Sequence, residues 1–154
     1  MTTEFGIELI ENYLLTRRVR YFRGHRDEEY FFLVNAYHGR LHVHLEAGGA
    51  DRDMVKLTVT AERYFPAEQR AAVAALADQW NQTSPWARAV VYASSDPRLV
   101  GVAAENRYSN ATDGDFGAFV DHTIQSAIDL FGRIRTVVGP AGSRTGDERL
   151  LDAG

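Results

Sequence analysis

The chain contains no cysteine, which removes disulfides, thiolate zinc sites and cysteine nucleophiles together. It also lacks any apolar run near the ~18 residues that span a bilayer, so no membrane partner is expected. Met1-Thr2-Thr3-Glu4 carries neither the basic nor the apolar region of a secretory leader, so the expected location is cytoplasmic. Excess positive charge is missing too: 17 Lys plus Arg stand against 21 Asp plus Glu, a net charge of -4. Phosphate binding ordinarily needs a basic face, so nucleic acid is not an expected partner. No serine stands in a nucleophile elbow. Gly139-Pro140-Ala141-Gly142-Ser143 lacks the Lys-Ser/Thr of a phosphate loop. From these absences no catalytic residue, cofactor, metal or small-molecule substrate is assigned.

What is present is ordinary for a globular domain. The 154 residues, 45% hydrophobic and 25% charged, suffice for one domain with a real core. That domain is expected to span 1–138. The Gly/Pro-rich break at 139–143 and the polar stretch Arg144 to Arg149 offer little to bury, so 139–154 is expected to be a flexible tail.

Helical spacing of Phe5, Leu9, Ile10, Tyr13 and Leu14 predicts a first helix from about Glu4 to Thr16, with Thr3 as N-cap. Glu29 to Ala36 is rich in Tyr, Phe, Leu and Val and predicts a strand, followed by a hairpin turn at Tyr37-His38-Gly39-Arg40. Two alternating strands come next. Leu41, Val43 and Leu45 oppose His42, His44 and Glu46; after a turn at Gly48 to Asp51, Val55, Leu57, Val59 and Ala61 oppose Lys56, Thr58, Thr60 and Glu62. Period-two alternation means one buried and one wet face, as in an antiparallel sheet. Pro66 suits the first turn of a second helix whose stripe is Val73, Leu76, Ala77 and Trp80. Strands from Arg88 to Ser95 and from Leu99 to Tyr108 flank a turn at Ser95 to Arg98. A last helix opens near Asp113 and buries Phe116, Phe119, Val120, Ala127, Leu130, Phe131 and Ile134. The expected fold is therefore α+β, an antiparallel five-stranded sheet with three helices in the order α-β-β-β-α-β-β-α.

Tyr64-Phe65-Pro66, Trp80-Asn81, Ala89-Val90-Val91-Tyr92 and Val100-Gly101-Val102, closed by the long last helix, resemble the YbjN family of bacterial sensory-transduction regulators. That resemblance covers Val55 to Ile134 well and the N-terminal third by element order alone. Ala77-Asp78-Gln79 stands where the family pattern often has a second asparagine. The resemblance implies a fold similar to type III secretion chaperones. It also implies a non-enzymatic, regulatory or chaperone-like protein, dimeric and binding another protein or a second copy of itself.

Three groups are candidate sites. His42 and His44 share a strand face with Cβ atoms about 7 Å apart. With Glu46 beyond and His38 at the turn they offer donors for zinc or iron, the alternative being a small metal- or ligand-binding enzyme. Alternation alone explains them equally as solvent-face residues, and spacing fixes no third close ligand. Arg17, Arg18, Arg20, Arg23 and Arg26, interleaved with Tyr21, Phe22 and His25, could grip phosphate or an acidic segment, or simply form a solvated connector. Strand 29–36 is apolar on both faces: Tyr30, Phe32 and Val34 on one, Phe31, Leu33 and Tyr37 on the other. The second face needs cover from the first helix, a twin subunit or a client peptide. Phe31, Leu33 and Tyr37 are the candidate partner-binding residues.

Overall fold

Burial follows the alternation read from the sequence, and that decides the architecture. Leu41, Val43, Leu45, Val55, Leu57 and Val59 are buried while the residues between them face the other side. The structure, a computed structural model, describes residues 5–25, 28–37, 39–48, 53–84, 86–112 and 114–138. Helix α1 (Phe5–Thr16) precedes strands β1 (Tyr21–Arg23), β2 (Glu29–Ala36), β3 (Gly39–Gly48), β4 (Met54–Ala61) and β5 (Phe65–Pro66). A single 3-10 turn (Ala67–Gln69) leads into α2 (Arg70–Thr83). Strands β6 (Arg88–Ala93) and β7 (Leu99–Ser109) and helix α3 (Phe116–Val138) complete the order.

All strand pairs are antiparallel, in the spatial order β1-β2-β3-β4-β7-β6. Val100 pairs with Ala93 of β6 and Phe65 of β5, so β5 extends the β4 side of β7. The expected five strands are thus seven among the described residues. The two extra ones are short: β1 has no periodic pattern of its own, and β5 ends in a proline that can only sit at such a margin. Pro66 therefore precedes the helical turn instead of starting it.

Two further local readings are adjusted. Ala36 pairs with Gly39, so the β2–β3 loop is Tyr37-His38, and Gly39 opens β3 with φ 140°. At α3 the capping carboxylate belongs to Asp115, whose Oδ2 accepts the Ala118 N–H at 3.0 Å. Asp113 lies outside the described residues, as do Thr3, the turn at 49–52 and the expected tail 139–154.

The helices cover one face of the sheet. Ile10, Tyr13 and Leu14 of α1, Val73, Ala77 and Trp80 of α2, and the apolar side of α3 share one core with the sheet. At roughly 1.5–3 kcal/mol per large side chain removed from water, that core dominates the stability. Gly6 lets α1 lie close on β3, since a Cβ there would stand 2.8 Å from the Ala47 Cβ. Helices α1 and α3 are tied by Asp121: it accepts from the Tyr13 hydroxyl at 2.7 Å and from Arg17 Nη2 at 2.7 Å. Among the described residues no helix is long and apolar enough to cross a membrane.

At the β6 margin α2 closes the sheet. The Asn81 Nδ2 donates to the Ala89 carbonyl at 3.0 Å, and its Oδ1 accepts the Ala89 N–H at 2.7 Å. Trp80 Nε1 donates to the Ala87 carbonyl at 3.0 Å. Asn81 thus stands in for a missing neighbouring strand, satisfying backbone groups that an open edge would expose.

Candidate functional site

The opposite margin is built differently. Arg18 adopts φ 56° as the chain leaves α1, and the Val19 N–H bonds back to the Leu14 carbonyl at 2.9 Å. The connector therefore reaches the sheet late, and β1 pairs only with Tyr30, Phe31 and Phe32. From Leu33 to Ala36, β2 has β3 on one side and, among the described residues, no strand on the other. The Gly24 N–H to Glu29 carbonyl bond shows which β2 residues point their backbone groups outward. By antiparallel alternation Leu33 and Asn35 aim theirs at this open edge.

Side chains follow the same division. Tyr30 and Phe32 are buried against the helices, with the Tyr30 hydroxyl donating to Glu11 of α1 at 2.7 Å. Phe31 is 38% and Leu33 42% exposed on the other face, so α1 does not cover β2's second side. Phe22, paired across from Phe31, is 59% exposed and belongs with them. The sequence already interleaves Phe22 with arginines; only its strand pairing makes it part of the patch. Tyr37 is 93% exposed but sits in the hairpin loop, away from Phe31 and Leu33. A groove of about 540 Å³ runs beside the patch, lined by Val19, Phe22, Phe32, Leu33 and Ile124.

Much of the arginine group is used structurally. Arg17 is paired with Asp121 and stacks over Tyr13 at 4.9 Å, and Arg23 lies 4.7 Å above the Tyr30 ring. Arg18, Arg20 and His25 are exposed, and Arg26 lies outside the described residues.

Hairpin register also settles which metal-type donors meet. Glu29 pairs directly with Glu46, and His44 lies on the same open face with its Nε2 3.7 Å from Glu29 Oε2. One donor atom from each of Glu29, His44 and Glu46 falls within 4.8 Å of the others. Phe31 stacks on the His44 ring at 4.5 Å. His42 is exposed and outside this cluster, and His38 lies outside the described residues. Glu29 is the ligand-type residue the sequence reading missed. Knowing the loop to be two residues long would have supplied it.

A second groove, also about 540 Å³, lies near Asn81, Trp86, Arg88, Glu105, Asn106 and Arg107. Three of its polar side chains are engaged in the fold: Asn81 with Ala89, and Trp86 Nε1 and Asn106 Nδ2, which both donate to Thr123 Oγ1 at 3.1 and 3.3 Å.

Comparison with known proteins fits this architecture. The structure is similar to the crystal structure of YbjN, "a putative transcription regulator from E. coli". The TM-score is 0.54 at 11% identity, over 84% of this chain and 87% of that one. It is also similar, at TM-score 0.48 and 13% identity, to an uncharacterized protein from Methanothermobacter thermautotrophicus, over 89% and 99% of the two chains. No curated protein matches the sequence. The sequence profile described as "Putative bacterial sensory transduction regulator" matches residues 6–135, and the chain therefore belongs to the YbjN family.

Proposed function

We propose that this chain is a non-enzymatic, protein-binding regulatory domain, chaperone-like in working through apolar surface, and that it acts as a homodimer. The observation that carries this reading is the joint exposure of Phe22, Phe31 and Leu33 beside the unpartnered length of β2. An open strand edge offers main-chain hydrogen bonds to an added strand, and flanking apolar side chains add burial to them. A second copy is the favoured occupant. Two β2 edges laid antiparallel about a two-fold axis near Val34 satisfy each other, so association closes at two chains. Tyr37, exposed at the hairpin tip, would then extend over the neighbouring subunit as a further contact. The family's description as a regulator supports the same class. The alternative, an enzyme built on His42, His44 and Glu46, is weakened by the separation of His42 from the other two.

Light scattering after size exclusion at micromolar concentration tests the reading. The expected mass is that of two 17.2 kDa chains. Leu33→Asp, with an unchanged circular dichroism spectrum, should reduce it to one. A wild-type mass of one chain, or a dimer indifferent to Leu33→Asp, would remove the homodimer.

A further inference from the structure

The Glu29, His44 and Glu46 cluster has a geometry that solvent-face residues do not need. Glu29 and Glu46 are a direct cross-strand pair, and like charges placed opposite one another in a sheet repel. Lys56, the sequence's one lysine, stands across from Glu46 on its other side, in β4. His44 lies beside this pair, two residues before Glu46 on β3 and diagonal to Glu29. Its Nε2 has no exposed surface and, among the described residues, no hydrogen-bond partner, the nearest acidic oxygen there being Glu29 Oε2 at 3.7 Å. Stacking against Phe31 at 4.5 Å and 17° fixes the plane of the imidazole, so this nitrogen is held facing the acids. A buried polar atom left without a partner is rare in folded proteins and calls for a physical reason.

We propose that Glu29, His44 and Glu46 form a binding site for a first-row divalent cation of the zinc, manganese or iron(II) type. The donor set decides the class. Two carboxylate oxygens and one neutral imidazole suit these borderline ions. The nitrogen disfavours calcium and magnesium, and the absence of sulfur disfavours copper(I). The donors now span up to 4.8 Å. Closing them to the separations of a site with bonds of about 2.0–2.2 Å asks for a shift of roughly 1 Å, within reach of two flexible glutamates on fixed strands. The remaining coordination positions would be taken by water, since the sheet face is open there. This site does not depend on the dimer. It does touch the proposed binding patch through Phe31, so occupancy would stiffen the ring on which that patch is built.

The test uses the full chain, stripped with a chelator and titrated with zinc by calorimetry and with cobalt(II) by its visible absorption. Expected is one equivalent bound at about micromolar affinity. Glu29→Gln and His44→Gln should each weaken binding roughly 10–100-fold. His42→Gln, on the same strand face outside the cluster, should leave it unchanged. If His44→Gln fails to fold by circular dichroism, Glu29→Gln and Glu46→Gln carry the same test. The proposal is overturned by no binding in the wild type at millimolar zinc. It is equally overturned if binding survives Glu29→Gln intact, or if binding is lost in His42→Gln.

Discussion

The two ends of the sheet solve the same problem in opposite ways. At the β6 end the outer strand is capped: Asn81 returns both hydrogen bonds of Ala89, and Trp80 holds the Ala87 carbonyl. On the open face nearby, Tyr92 lies over Gly101, filling the place a Cβ would occupy, and meets Tyr64 edge to face. At the β1 end the outer strand stops after three residues, so Leu33 to Ala36 have β3 on one side and, among the described residues, no strand on the other, with Phe22, Phe31 and Leu33 partly exposed. One end spends its side chains on shielding backbone, the other leaves backbone and apolar surface available together. An edge left open beside apolar side chains is an aggregation hazard unless something covers it. The asymmetry is what the proposed contact at the β2 end rests on, while the β6 end serves stability.

The comparison breaks first at Asn81. Replacing it with alanine leaves the Ala89 N–H and carbonyl without their partner, at about 1–3 kcal/mol for a buried group and less where water enters. The expected cost of Asn81→Ala is about 2–4 kcal/mol in urea unfolding, with a melting temperature lower by roughly 5–15 °C. A cost below about 0.5 kcal/mol would mean that water serves the β6 edge as well as Asn81 does. Next in size is Gly101→Ala, which drives a methyl into the Tyr92 ring and is expected to cost about 1–3 kcal/mol. Because the collision is with one side chain, adding Tyr92→Ala should make the second change cheaper than it is alone. Simple additivity in that double-mutant cycle would deny the packing argument.

The sequence reading succeeded where a pattern repeats and failed where structure depends on pairing. The three helices and the strands 41–46 and 55–61 carry long periodic runs, and their buried sides follow from those runs alone. Strand 29–36 is apolar on both sides, so parity groups Phe31 with Leu33 without saying which side is covered; the structure leaves theirs partly exposed. Tyr37 shares that parity but falls in the loop, where parity no longer says which way a side chain points. Strand β1 has three residues and exists only because its partner β2 fixes it. Glu29 enters the cluster through hairpin register, which the Ala36–Gly39 pair fixes and no periodic run announces. Asn81 stood out in the family resemblance without an evident role. Only the position of β6 beside the end of α2 reveals it as an edge cap.

A smaller effect uses pH to compare the two ends. Burial first, then the hydrogen bond to Glu11, pushes the Tyr30 phenol from 10.0 up to about 12. Tyr92, at the other end, is pushed to about 12 chiefly by burial. In the unfolded chain both ionise near 10, so between about 10 and 12 the folded state holds more protons. Stability contributed by these phenols is complete below pH 10 and is lost as pH rises through that window. For Tyr30 the loss is on the order of 2 kcal/mol. Tyr30→Phe should therefore show a shallower fall in stability across this range than the wild type, with Tyr92 still contributing. An unchanged slope would place the alkaline sensitivity elsewhere.

The smallest expected effect on stability is also the most direct probe of the open end. Phe22 is 59% exposed on a three-residue strand, so Phe22→Thr removes apolar area without opening a cavity and keeps a residue suited to a strand. Its unfolding free energy should stay within about 0.5 kcal/mol of the wild type. Self-association, if the patch is the contact, should weaken by roughly ten-fold or more, since aromatic anchors carry much of the energy of an interface. Measuring both on one sample separates the alternatives. Should Phe22→Thr cost 2 kcal/mol or more in the monomer, the ring is packed as part of the fold. The β1 end would then be a closed edge like the β6 end, and the contrast between them would disappear.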